Sequence, residues 1–274
     1  MNKKLILLFF TAFFALVACS QQTENITDSP ESDDEVQEEQ EVDSEQLAHW
    51  SYEGETGPEH WGNLDPSYAA CVDGSEQSPI NIEFSQVEAS EKLENIEIQY
   101  QPASFSLVNN GHTVQANATE KGNSIIAEDQ EYQLVQFHFH TPSEHLFNGQ
   151  HLDMELHLVH QDSNGELAVL GVMIQEGKEN ENLAAVWDDM PKEETENEVP
   201  IDEPINLQNL LPEDQTSFHY NGSLTTPPCT EEVKWIIFEE PIEMSKEQIE
   251  AFQEIFEENH RPVQPLNERE VINN

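Results

Sequence analysis

Positive charge is what this chain has least of: its 274 residues carry 10 Lys and Arg against 56 Asp and Glu, a formal net charge of -46. That balance excludes nucleic acid as a partner, because a phosphate backbone is held by clustered cations that this surface does not offer. Cysteine is scarce too, at three residues, so at least one thiol is left over from any disulfide pairing. Long apolar runs are limited to one, the 14 residues from Leu5 to Ala18. That run is shorter than the stretch of about 20 residues a membrane-spanning helix needs.

What precedes and follows that run gives it a meaning. Lys3 and Lys4 stand before it, the layout of a secretory signal peptide. It ends in LVAC, Leu16 to Cys19, which resembles a bacterial lipobox. Residues 1–18 are therefore expected to be removed and Cys19 to carry lipid, making an exported lipoprotein anchored to a membrane on the extracytoplasmic side, at the cell surface or in the periplasm. The alternative is an ordinary signal peptide with an incidental cysteine. With Cys19 lipidated, Cys71 and Cys229 remain as a pair, expected to form a disulfide in an oxidising compartment; two buried free thiols are the other reading. Residues 19–46 hold eleven acids, no Lys or Arg and no aromatic residue. A segment of that composition cannot bury a core and reads as a self-repelling tether.

Residues 47–274 are long enough for one large domain, with 45 acids against 8 Lys and Arg. Such an excess suggests adaptation to high salt or to an unusual pH. No repeat is visible, and seven runs read as strands: 96–100, 104–109, 113–117, 132–140, 154–161, 167–175 and 233–239, separated by turn signals such as NNG and DSNGE. Two helices are predicted. One spans Asn182 to Met190 and stops at Pro191; the other follows Ser245, which with Gln248 makes a capping box ahead of Ile249, Phe252, Ile255 and Phe256. The pattern predicts a large, mostly antiparallel sheet with helical trimmings.

The densest chemistry lies in QFHFHTPSEH, residues 136–145. On a strand, Gln136, His138 and His140 point to one face, while Phe137 and Phe139 point to the other. In ELHLVH, residues 155–160, Glu155, His157 and Val159 likewise share a face. If the two strands pair, His138, His140 and His157 converge, and three imidazoles with an open fourth position are a zinc site able to acidify water. From the residues alone, a cluster of satisfied core histidines is an equal alternative.

HWSYEG and GPEHWG, then QSPINI, NNGH, HFHTPSEH, ELHLVH, GSLTTPPC and NHRPVQPLN, follow one another between His49 and Asn267. In this order they resemble the signature blocks of the alpha class of carbonic anhydrases. The resemblance implies a mainly β, α+β fold, with a twisted, mostly antiparallel central sheet of about ten strands and peripheral helices. It also implies reversible hydration of carbon dioxide to bicarbonate and a proton by zinc-hydroxide attack. The implied zinc (Zn2+) ligands are His138, His140 and His157, oriented by Gln136, Glu155 and the backbone of Asn259. Thr225 would accept a hydrogen bond from the nucleophile while donating one to Glu144. His112 would shuttle protons through a water network ordered by Tyr52 and Asn109. Val159, Val169, Leu224, Thr226 and Trp235 would form the substrate pocket. His145 and His160 match structural positions, and Thr141 stands where animal relatives commonly have tryptophan. Bacterial relatives are often dimers, so a homodimer is one expectation, although no interface is legible. The competing reading is a surface-anchored binding or adhesion module of the same fold without significant catalysis.

Overall fold

The computed structural model describes residues 48–90 and 96–274. The expected signal peptide, the lipid site at Cys19 and the tether to Gln46 lie outside the described residues. Fourteen strands are present among them: β1 Asn81–Ile82, β2 Glu88–Ala89, β3 Glu97–Gln99, β4 Phe105–Asn109, β5 Val114–Ala118, β6 Ser124–Ala127, β7 Gln130–His140, β8 Leu146–Phe147, β9 Met154–Gln161, β10 Leu167–Glu176, β11 Val199–Pro200, β12 Ser217–Ser223, β13 Glu231–Met244 and β14 Ile272–Asn273. Twelve of them make one sheet in the order β11-β4-β5-β7-β9-β10-β13-β12-β14-β2, with β6 on β7 and β3 on β6. The sheet is mostly antiparallel, as expected, but mixed: β10 runs parallel to β13 and β14 parallel to β2.

Each of the seven predicted runs overlaps a strand of this sheet. The excess over ten comes largely from two-residue strands, β2, β11 and β14, which are too short to show a period of two. Strand β12, SFHYNGS, carries Asn and Gly, residues that strands usually avoid. It is held nonetheless by β13 on one edge and β14 on the other.

Alternation along the central strands divides the molecule. Phe137 and Phe139 on β7, Leu156 and Leu158 on β9, and Leu170 and Val172 on β10 enter one large core, which Val186 and Phe252 close from the helical side. The opposite face places Val159, Val169, Met173, Trp235 and Ile237 in a second cluster. It is this second face that carries His138, His140 and His157. Two short helices, α1 Trp61–Leu64 and α2 Ala70–Asp73, come first; of the predicted helices, the earlier is α3, Ala184–Asp189, preceded by a 3-10 turn at Glu181–Leu183. The second is α4, Lys246–Gln253, opened by the Ser245 and Gln248 capping box. It ends before Glu254, Glu257 and Glu258, acids that oppose the negative end of a helix dipole.

A third cluster gathers Trp61, Tyr68 and the two cysteines. Cys71 and Cys229 are joined in a disulfide across a sequence separation of 158, with Cα atoms 5.0 Å apart.

Candidate metal centre

Pairing of β7 with β9 sets His138 directly opposite His157, with His140 opposite Glu155. The three imidazoles crowd together, with ring centroids 4.7 to 5.2 Å apart. One nitrogen from each ring lies within 4.8 Å of the others.

The second nitrogen of every ring is already committed. His138 Nδ1 donates to Gln136 Oε1 at 2.8 Å, His140 Nδ1 to the Asn259 carbonyl at 2.6 Å, and His157 Nε2 to Glu155 Oε1 at 2.9 Å. These acceptors fix the tautomers, leaving lone pairs on His138 Nε2, His140 Nε2 and His157 Nδ1. His140 Nε2 is buried with no hydrogen-bond partner. A buried orphan of this kind, among three imidazole nitrogens, fits a tetrahedral zinc ion with one position left open.

Electrostatics favour neutral ligands at two of the three positions. Burial pushes His138 well below its ordinary value, with His140 and His157 adding to the effect; burial also lowers His140 against the pull of Glu144. Burial would lower His157 too, but the charge and hydrogen bond of Glu155 outweigh it and the net direction is up. Glu155 itself would be raised by burial, yet the His145 and His157 imidazoles hold it well below the usual carboxylate range. Its Oε2 also accepts from the backbone N–H groups of Glu144 and His145.

A second cluster of potential ligands, His145, Glu155 and His157, lies alongside. Hydrogen bonds saturate it: His145 Nδ1 donates to Glu155 Oε1, and His145 Nε2 meets the Tyr220 hydroxyl at 2.7 Å. With no free lone pair on His145, this cluster supports the scaffold and holds no metal.

The histidines floor a cleft of about 140 Å3. That is well below the roughly 300–1,000 Å3 of pockets for drug-sized ligands, so a very small substrate is indicated. Val159, Val169, Leu224 and Trp235 give it an apolar wall; Tyr52, His112, Thr225 and Thr226 line the rest. Cross-strand register explains the wall, since Val169 on β10 lies opposite both Val159 on β9 and Trp235 on β13.

The comparisons with known proteins agree with this geometry. A family model described as eukaryotic-type carbonic anhydrase matches residues 56–274. A carbonic anhydrase of Nostoc sp. is 43% identical over 226 residues, covering 82% of this chain and 85% of its own. One from Klebsiella pneumoniae is 43% identical over 227 residues, covering 82% and 91%. Among solved structures, the alpha-carbonic anhydrase of Thermovibrio ammonificans, in complex with the inhibitor sulfanilamide, superposes with a TM-score of 0.79 at 45% identity, covering 82% of this chain and 99% of the other.

The chain belongs to the alpha-class carbonic anhydrase family.

Within that family frame, two expectations need correction. Asn109 does not line the cleft: its Nδ2 donates to the Pro191 carbonyl and its Oδ1 accepts from Gly111 N–H. Asn110 takes the lining position instead, its Oδ1 accepting from the N–H groups of His112 and Thr113. The hydrogen bond from Thr225 to Glu144 is not formed either. Glu144 Oε1 accepts from the Arg261 N–H at 2.8 Å, while Oε2 has no hydrogen-bond partner among the described residues. Oε2 lies 3.5 Å from His140 Nε2 and 3.9 Å from His157 Nδ1, so the carboxylate is directed toward the ligand nitrogens.

His112 sits at the cleft wall, stacked on Trp50 with ring centroids 3.6 Å apart and planes within 9°. Its backbone is pinned: Asn110 Oδ1 accepts from its N–H, and its carbonyl accepts from Asn259 Nδ2. Burial and the neighbouring His49 lower its pKa, against the opposing charge of Glu194.

Sequence reasoning missed Trp50, Asn110, Thr113 and Gln115 in the cleft lining. It also missed Arg261, whose buried guanidinium donates to Gln77 Oε1 and to the carbonyls of Ser78 and Cys71. The available signal was rarity, since Arg261 and Arg269 are the only arginines in this acidic chain.

Proposed function

We propose that the protein is a zinc-dependent carbonic anhydrase that interconverts carbon dioxide and bicarbonate. The observation that carries this reading is the convergence of three imidazoles whose outer nitrogens are all occupied by Gln136, Asn259 and Glu155, beneath a small apolar pocket. Zinc, when bound by His138, His140 and His157, would supply Lewis acidity that brings the pKa of a water to about 7.

The chain's own groups then have distinct tasks. Carbon dioxide is uncharged and a poor hydrogen-bonding partner, so Val159, Val169, Leu224 and Trp235 would receive it by excluding water. Thr225, buried at the cleft, would accept a hydrogen bond from the attacking oxygen and so orient it. Thr226 would help handle bicarbonate at the rim. His112, stacked on Trp50 at the cleft wall, would carry the released proton outward on its imidazole. Tyr52, whose phenol is pushed well above its ordinary value first by burial and then by Glu144, stays protonated and would order water between them.

The test is the carbon dioxide hydration rate before and after chelation, and again after zinc is restored. A rate that vanishes and returns with zinc supports the enzyme. No hydration at full zinc occupancy would leave the binding-module reading in its place. Export as a Cys19-anchored lipoprotein is part of the same proposal, resting on the LVAC motif alone; attachment to membranes that survives Cys19→Ala would contradict it. Dimerisation has no support beyond the family resemblance and is not proposed.

A further inference from the structure

We propose that His151 and His260 form a second metal site, outside the cleft, for a divalent transition-metal cation. Their rings lie 5.1 Å apart at 74°. That spacing and tilt match the pair His138 and His140 in the zinc triad, at 5.0 Å and 75°. Neither ring lines the cleft.

Both rings are prepared as ligands. His151 Nδ1 donates to the Ser143 carbonyl at 2.6 Å, which fixes the tautomer and leaves the lone pair on Nε2. This is the device by which the Asn259 carbonyl orients His140. His260 Nδ1 is buried with no hydrogen-bond partner among the described residues. Burial, with His151 beside it, also keeps His260 below its ordinary pKa and hence neutral.

Other histidine pairs lack this combination. His49 and His112 are 6.5 Å apart at 32°, and His112 is stacked on Trp50. His145 and His157 share Glu155, and both nitrogens of His145 are hydrogen-bonded.

Paired imidazoles select zinc, copper or nickel over magnesium or calcium, which take oxygen ligands. Glu258, whose negative charge acts on His260, adds local attraction for a cation. Water completes the coordination, so the site is weaker than the triad. It is also coupled to the triad by the backbone. Ser143 adjoins Glu144, while His260 lies between Asn259, which orients His140, and Arg261, whose N–H holds Glu144. A cation here would clip together the two segments that support the zinc centre.

The experiment is equilibrium dialysis of the zinc-loaded full chain against nickel(II) at physiological salt, with zinc and nickel counted separately. The result expected is one added nickel per chain with the resident zinc retained, lost in both His151→Gln and His260→Gln but kept when His49 and His112 are both changed to Gln. No added nickel, nickel retained in His151→Gln, or nickel lost in the His49 and His112 variant would each overturn the assignment. His151 is exposed, so His151→Gln decides between these outcomes even if His260→Gln does not fold. The proposal stands apart from carbon dioxide hydration, since the zinc count reports on the triad independently.

Discussion

Glu155 shows how much a single side chain can be asked to do. Its two oxygens accept from His145, His157 and two backbone N–H groups, all buried. Glu155→Gln keeps the shape but loses the charge and leaves one nitrogen facing donors. Zinc affinity is expected to fall by about 10- to 100-fold, as for other partners of metal-bound histidines, measured by competition with a chromogenic chelator. At the cleft wall, His112→Ala is expected to slow turnover in weak buffer and to be partly rescued by added imidazole. A full rate without rescue would remove His112 from the proton path.

His160 makes a different point at the same scale. It is buried, meets the Tyr100 hydroxyl at 2.7 Å, and is lowered by burial to about 4. A folded-state pKa below the unfolded value of about 6.5 means that the unfolded chain takes up the proton first. The stabilisation is complete above pH 6.5 and is lost as pH falls toward 4, reaching about 2 kcal/mol at pH 5. Protonation of surface acids relieves repulsion in the same range and works in the opposite direction. The comparison that isolates His160 is the change in urea midpoint from pH 7 to 5 in wild type and in His160→Gln, with the smaller loss expected in the variant.

At the scale of elements, the site depends on how closely three strands approach. Gly171 on β10 pairs with His157 on β9 and with Ile237 on β13. A Cβ built there would lie 2.4 Å from Ile237 Cδ1 and 3.0 Å from Glu155 Oε1. Ile237 is fully buried, so its methyl has no free space in which to retreat. Gly171→Ala is expected to cost about 1–3 kcal/mol by overpacking and to weaken zinc binding through the displaced Glu155. Thermal unfolding with and without zinc checks both effects. The parallel contact of β10 with β13 belongs to this scale too, since it brings Trp235 beside Val169 to close the apolar wall.

Across the whole molecule, the disulfide and the charge balance act on every element at once. Cys71 and Cys229 close a loop of 158 residues, a constraint on the unfolded chain worth about 5 kcal/mol in the chain-entropy model. The bond also holds the segment after Thr225 against the Trp61 cluster that Arg261 caps. Reduction should therefore lower the unfolding midpoint and slow carbon dioxide hydration together. The net charge of -46 predicts a salt effect of the opposite sign. Raising ionic strength from about 0.01 M to about 1 M shortens the screening length from about 30 Å to about 3 Å, so the unfolding midpoint should rise. A midpoint insensitive to salt would show that the acids are already spaced or paired well enough to cost nothing.

What the residues by themselves determined is periodic or compositional. Alternation in QFHFH and ELHLVH placed His138, His140 and His157 on one sheet face, and the capping box marked the start of α4. Tertiary structure decided whatever depends on register and direction. Nothing in the spacing of His157 reveals that it presents Nδ1 while its partners present Nε2; that follows from Glu155 taking Nε2. Nor does NNGH reveal whether Asn109 or Asn110 faces the cleft, because one step of turn rotation exchanges them. Arg261 and Asn259 lie more than 100 residues from Glu144 and His140, and a hydrogen bond across that distance leaves no mark on local pattern.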